Sequence, residues 1–139
     1  MLVLLLANCQ RDEVESRLVG TWRWEETGTG GIVYLTHKPK EGENTHLTFS
    51  KNQTFEVTRN DTLFVTGKYR TYKTKRGPSE EIFESIQMED MVFLQQATNP
   101  NSRRFVFLDD LMFIREITSS RLFVIYDNYY KYNSFFVRR

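Results

Sequence analysis

Two charged side chains on otherwise apolar strand faces are the first candidates for chemistry. Glu84 and Arg115 each have an apolar residue two positions before and two positions after them. Residues two apart on a strand share a face, so both charges would stand among apolar neighbours. A buried charge is costly unless it is paired, so the two should contact each other or an opposite charge on a ligand. The alternative is a register shifted by one residue, with both side chains in solvent.

Aromatic residues predict an apolar wall on the same side of several strands. Trp24 would stand one layer above Trp22, and Phe49, Phe55 and Tyr69 would face inward from later segments. The expected ligand contacts are then Trp24, Phe49, Phe55, Tyr69, Glu84 and Arg115. The alternative is that these aromatic residues only fill a core, since Trp is highly buried on average in any fold.

The remaining chemistry-bearing residues form no catalytic or metal-binding pattern. His37 and His46 have no carboxylate at a spacing that would orient them as a base or a metal ligand, and we predict that both lie at the surface. Adjacent carboxylates such as Asp109-Asp110 point to opposite sides of a strand, so we assign them to turns rather than to a catalytic pair. We expect no metal and no cofactor, and a small barrel enzyme is the least favoured function.

Composition predicts one small folded domain. The chain has 139 residues, with 19 Lys plus Arg against 18 Asp plus Glu and a net charge of +1. No basic field of the kind that binds nucleic acid follows from this balance. Eleven Phe and seven Tyr supply the bulk for a core, and a single Cys excludes a disulfide framework.

The single cysteine follows a short apolar run. Residues 2–7 are too few to span a membrane. Leu6-Ala7-Asn8-Cys9 resembles the lipobox of bacterial lipoproteins, which implies a signal peptide that begins upstream of Met1 and an acylated Cys9. The acidic stretch after it resembles export tags of Gram-negative surface lipoproteins. We therefore expect a signal remnant at 1–9, a tether at 10–16 and a domain at 17–139. The alternative is a buried strand with a core cysteine.

Beyond the tether, short alternating segments separated by turn residues predict an all-β chain with one short N-terminal helical turn. Gaps of two to four residues require antiparallel hairpins, which make an up-and-down barrel or a sandwich. We predict loops at 38–44 and 89–103. The predicted strands are Leu18–Glu26, Gly31–Thr36, Thr45–Ser50, Thr54–Asn60, Leu63–Thr74, Glu81–Met88, Arg104–Leu108, Met112–Thr118, Arg121–Tyr126 and Tyr132–Arg138.

The two ends of the chain resemble one family. Gly20-Thr21-Trp22 after a helical turn looks like the first strand of lipocalins, and residues 122–138 resemble the last hairpin of small lipocalin-like bacterial lipoproteins. The resemblance implies an antiparallel up-and-down β-barrel of 8–10 strands. It also implies that Gly20, Trp22 and Arg138 close one end of the barrel, with Arg139 as the competitor for the last role. A guanidinium over an indole gives a cation–π contact.

The resemblance implies a binding function in the cell envelope. The expected partner is a small apolar or amphipathic ligand, and the expected location is the outer membrane of a Gram-negative bacterium, by way of the lipid anchor and with the domain at the cell surface. The alternative is a filled barrel that binds another envelope protein or a glycan through its exterior. Tyrosines suit such an interface, and those that look exposed around the last turn are Tyr126, Tyr129, Tyr130 and Tyr132.

Overall fold

The computed structural model describes residues 13–29, 35–76, 78, 80–94, 105–126 and 132–139. Within these residues the chain forms a helix at 13–18 and nine strands. The strands are β1 (Gly20–Thr29), β2 (Leu35–His37), β3 (Thr45–Phe49), β4 (Thr54–Arg59), β5 (Thr62–Lys75), β6 (Ile82–Phe93), β7 (Leu111–Ile117), β8 (Arg121–Tyr126) and β9 (Asn133–Arg138).

Eight of the described strands form a hydrogen-bonded ring. Each of β3 to β8 pairs with the next along the chain, and β1 pairs with both β3 and β9. All of these pairings are antiparallel, as the short connections predict. The small strand β2 pairs with the last three residues of β1, beyond the part of β1 that pairs with β3. The prediction of a mostly antiparallel β fold is confirmed.

Alternation sorts the side chains of each strand between the interior of the ring and its outside. On β8, Leu122, Val124 and Tyr126 are buried, whereas Phe123 and Ile125 between them are only half-buried. The same period of two on the other strands sends an apolar row inward. The interior rows join Leu18, Phe105 and Phe107 in a single core cluster of 19 buried residues, which therefore includes residues from every strand of the ring.

The end of the ring next to the helix is covered. The Trp22 indole Nε1 donates to the Leu18 carbonyl at 2.8 Å, and the Arg138 guanidinium carbon lies 4.2 Å from the centre of the Trp22 ring system. Arg138 also donates to the carbonyls of Val19 and Arg17. A Cβ at Gly20 would meet the guanidinium, and its φ of +136° suits only glycine. Arg138 therefore takes the position over the indole.

Two predicted boundaries are wrong around the connection between β6 and β7. The predicted loop at 89–103 starts too early, because residues 89–93 belong to β6, which continues to Phe93 and pairs there with the long strand β5. The predicted strand Arg104–Leu108 is not one, because its described residues, 105–108, form a turn closed by a hydrogen bond from Leu108 N to Phe105 O. Of the predicted strand Gly31–Thr36, residues 31–34 lie outside the described part.

Candidate functional site

The four aromatic residues predicted to line a ligand site all lie in the interior of the ring. Trp24 is 6% exposed, and Phe49, Phe55 and Tyr69 are at most 2% exposed. The Phe49 and Tyr69 rings meet edge to face with centroids 4.8 Å apart. The wall of aromatic side chains therefore exists, and each member is packed against other side chains of the core cluster.

A turn from the β6–β7 connection occupies the space beside Trp24. The Phe107 ring lies 5.5 Å from Trp24, 5.3 Å from Phe136 and 5.6 Å from Phe105, measured between ring centroids. Phe107 is fully buried and Phe105 is 5% exposed. The sequence signal for these two residues is their spacing of two, which predicted a strand; instead both rings turn into the core.

A chain of buried polar groups fixes this turn to the wall. Trp24 Nε1 donates to Thr27 Oγ1 at 3.0 Å, and Thr27 Oγ1 lies 2.6 Å from Ser134 Oγ. Tyr126 Oη lies 2.8 Å from Ser134 Oγ and donates to the Phe107 carbonyl. The tyrosine has one proton and gives it to Phe107, so Ser134 donates to the tyrosine and Thr27 donates to Ser134. The hydroxyls of Thr27, Ser134 and Tyr126 each then have both a donor and an acceptor.

Burial has a marked effect on Tyr126. Desolvation raises the pKa of its phenol well above the ordinary value, the charge of Asp109 adds to the rise, and the hydrogen bond from Ser134 opposes it. Tyr126 was predicted to be exposed, and this is wrong, because it continues the inward row of β8. Of the other tyrosines in that group, Tyr132 is half-buried, and Tyr129 and Tyr130 lie outside the described residues.

The two candidate charges find separate partners near the ring's surface. Glu84 Oε1 lies 3.6 Å from Lys73 Nζ, and Arg115 Nη1 lies 3.3 Å from Glu81 Oε1. The Arg115 guanidinium also lies 6.0 Å from the Phe83 ring centroid. Half or more of the Arg115 side chain is exposed, so it stands in solvent, and the structure does not bring it to Glu84.

Several polar side chains form hydrogen bonds where the helix meets the ring. Glu15, in the segment assigned to the tether, accepts hydrogen bonds from Thr71 and Gln53, and Tyr69 donates to the Ser50 carbonyl at 2.8 Å. Burial, with a smaller effect from the Glu15 charge, raises the pKa of Tyr69 to about 12. Residues 13–16 are therefore part of the folded unit. Cys9 lies outside the described residues.

The outer face of β1 separates two surface clefts. Arg23 and Glu25 form an ion pair on this face, with Nη2 to Oε1 at 2.8 Å. One cleft, which we call the aromatic cleft, has a volume of about 390 Å³ and is lined by Glu25, Glu26, Lys38, Arg121, Phe135, Phe136 and Val137. The other, which we call the polar cleft, has a volume of about 310 Å³ and is lined by Arg23, Asn44, His46, Asn60, Asp61 and Arg139.

His46, in the polar cleft, is the residue whose surroundings the sequence predicted least well. It was placed at the surface, but only 7% of it is exposed. His37 is exposed, as predicted. Burial lowers the pKa of His46, the charges of Arg139 and Arg23 lower it further, and Asp61 acts in the opposite direction.

The described residues hold no group of three or more potential metal ligands among His, Cys, Asp and Glu side chains. In that same part of the chain, no helix has the length and apolar character needed to cross a membrane. Comparison with protein-family models, with curated proteins and with solved structures finds no match to this chain.

Proposed function

We propose that this protein is a binding module whose ring of strands is a barrel of the lipocalin type, filled by its own chain, and that it acts through its outer surface. The partner is another envelope protein or a glycan. One observation carries the proposal: the turn at 105–108 puts the Phe107 ring against Trp24 and Phe136 in the interior, the space in which a barrel of eight strands could otherwise hold a small ligand. The polar chain that ends at the Phe107 carbonyl supports a permanent occupant, because its loss would leave Tyr126 unpaired in the core.

The clefts beside β1 are the surfaces best suited to a partner. The aromatic cleft combines the half-buried Phe135 and Val137 with ionised groups, the mixture found at protein interfaces, whereas the polar cleft is lined by charged and polar side chains. On the same outer surface the Phe123 and Phe135 rings are stacked, with centroids 4.2 Å apart and planes 8° from parallel. A flat aromatic pair next to charged groups gives a partner both apolar area and fixed polar contacts.

The proposal includes a lipid anchor at Cys9, which rests on the lipobox resemblance. The described helix begins at residue 13, four residues after Cys9. Four extended residues span at most about 14 Å, so an anchored protein would hold the helix end of its barrel close to the membrane. The outer face of β1 and the opposite end of the barrel would then be open to other envelope components.

An apolar fluorescent probe tests whether the interior is filled. We expect 1-aminoanthracene to show no saturable binding to the wild-type protein. Phe107→Ala should create a cavity lined by apolar side chains, and such cavities bind small aromatic molecules. The variant should therefore bind the probe with quenching of Trp fluorescence.

Phe123→Ala is the matched control. It also removes a phenylalanine ring, but from the outer surface, so this variant should not bind the probe. Saturable binding by the wild type, with quenching of Trp24, would overturn the filled barrel. It would favour the second candidate, a carrier of small amphipathic ligands in which the ligand displaces Phe107 and accepts the Tyr126 hydrogen bond.

The anchor is tested by fractionation. The chain expressed behind a complete lipoprotein signal should partition into the detergent phase, since a diacylglyceryl group plus an N-acyl chain suffices for stable residence in a membrane. Cys9→Ser should release it to the soluble fraction. A Cys9→Ser protein that stays in the membrane, or an unmodified Cys9 thiol in the native protein, would contradict the anchor.

A further inference from the structure

We propose that the polar cleft binds a small anionic group, a phosphate or a carboxylate, between Arg23, Arg139 and His46. The inference rests on the proposed function, because it assigns a chemistry to one of the surfaces through which a filled barrel would act. It also names what part of a partner this surface would recognise.

The cleft offers more cationic than anionic groups. Arg139 has no ion-pair partner among the described residues. A guanidinium without such a partner can bind a carboxylate or phosphate through two parallel hydrogen bonds. Glu25 engages Arg23 through Nε and Nη2, which leaves Nη1 for a further acceptor. Among the described side chains that line the cleft, Asp61 is the one carboxylate.

The far wall of the cleft is held rigid by backbone contacts. Asn60 N donates to the Asn44 carbonyl, and Asn44 N donates to Asn60 Oδ1, both at 2.8 Å. Asn60 and Asp61 have φ values of 50° and 64°, the pair of left-handed residues that makes a tight two-residue hairpin turn. A wall fixed in this way costs little further ordering when an anion binds.

His46 completes the site because only one of its nitrogens is free to face the cleft. Its Nδ1 is buried and has no hydrogen-bond partner in the described part of the chain. A proton on Nδ1 would be a buried donor without an acceptor, so the neutral ring carries its proton on Nε2. The ring then presents a donor to the cleft. Burial, and after it the charges of Arg139 and Arg23, disfavour the charged ring and lower the pKa of His46, and a bound anion would offset the repulsion from the two arginines.

The protein's histidine content makes the test direct. The chain has two histidines, so proton NMR gives two sets of imidazole C–H signals, and exposed His37 is an internal reference for His46. Inorganic phosphate and acetate are titrated at constant ionic strength against chloride. We expect a saturable shift of the His46 signal alone. Its pKa should rise by about half a unit at saturation, which by linkage means about threefold tighter binding to the charged ring.

Arg139→Gln separates anion binding from a simple charge effect. In chloride the variant should raise the pKa of His46, because a neighbouring positive charge is gone. It should also weaken phosphate binding roughly tenfold, the order expected for the loss of a charge-assisted hydrogen bond. Arg121→Gln makes the same charge change in the aromatic cleft and should bind phosphate as the wild type does.

The phosphate and acetate titrations distinguish the two anions. Saturation by phosphate but not by acetate assigns a phosphate, and the reverse assigns a carboxylate. Equal, unsaturable shifts of His37 and His46, or an Arg139→Gln variant that binds phosphate like the wild type, would overturn the inference. If the site fails in this way while the wild type still excludes the apolar probe, the filled barrel stands and only the anion is wrong.

Discussion

Tyr126 joins the wall of the ring to the turn that fills it, and its phenol is the group whose loss should be felt most directly. Tyr126→Phe keeps the ring but leaves the Phe107 carbonyl and the Ser134 hydroxyl without their partner. We expect a loss of about 1–3 kcal/mol in the free energy of unfolding, the usual cost of unpaired buried polar groups. Urea denaturation followed by Trp fluorescence measures it.

The same residue gives stability an alkaline limit. Because burial raises the pKa of Tyr126 in the folded state, the unfolded chain loses the phenol proton first as pH rises above the ordinary value of 10.0. Stability is therefore fully present below about pH 10 and falls above it. Tyr126→Phe should show a shallower fall than the wild type, with the raised pKa of Tyr69 supplying what remains. Parallel curves for the two proteins would contradict the burial of this phenol.

The two tryptophans should contribute similarly to stability. Trp22 is fully buried beneath Arg138, and Trp24 packs against Phe107 while its indole nitrogen is hydrogen-bonded to Thr27. Trp22→Ala and Trp24→Ala should each cost about 3–5 kcal/mol, because each leaves a large hole in a packed core. A Trp24→Ala cost far below that of Trp22→Ala would mean that open space already adjoins Trp24.

At the scale of the elements, the bulge on β5 depends on one small residue. The register of β5 against β6 shifts between Thr66 and Lys68, and a Cβ at Gly67 would overlap the Phe55 ring and come within 2.8 Å of the Glu89 carbonyl oxygen. Gly67→Ala should therefore cost about 1–3 kcal/mol through overpacking, measured by urea denaturation.

Gly42→Ala is the comparison for that variant. Gly42 has a φ of +76°, and a Cβ added there would meet no atom within 4 Å, so its replacement reports backbone strain without a clash. A Gly67→Ala protein no less stable than Gly42→Ala would argue against close packing at the bulge.

Most strands were predictable because their side chains alternate. The predicted Arg121–Tyr126 matches β8 in both bounds, and β3, β4 and β9 differ from the prediction by one residue at one end. The errors lie where the length of a strand is set by its pairing with a strand that is distant in sequence. The extension of β6 to Phe93 exists because β5 is long enough to pair with it, and Asp90 takes a φ of 51° within that extension. Local sequence contains no record of the partner's length.

The interior was predictable in part for the same reason. Alternation placed Trp24, Phe49, Phe55 and Tyr69 inward, and the sequence alone left open whether a ligand or the chain would fill the space between them. Phe105 and Phe107 were predicted to belong to a strand because apolar residues two apart are typical of strands. The same spacing also occurs in this turn, whose two rings point to the same side. The burial of His46 was missed because Arg139 and the Asn60–Asp61 turn, which line the same cleft, are distant from it in sequence.

At the scale of the whole molecule, closure of the ring and the filling of its interior depend on each other. The described strands β1 and β9 pair from Trp22–Arg138 to Gly28–Asn133, so they close the ring along one seam. Four residues on the inner side of that seam contact Phe107 or belong to the polar chain that holds it. They are Trp24 and Thr27 on β1 and Ser134 and Phe136 on β9.

If Phe107 fills the interior of the ring, proton NMR of the wild-type protein should show it directly through nuclear Overhauser contacts. The ring protons of Phe107 should show contacts to the Trp24 indole and to the Phe136 ring, whose centroids lie 5.5 Å and 5.3 Å away. Both sets of contacts should be present in the protein without any added ligand. A Phe107 ring that gives neither, with sharp signals typical of a side chain in solvent, would contradict it.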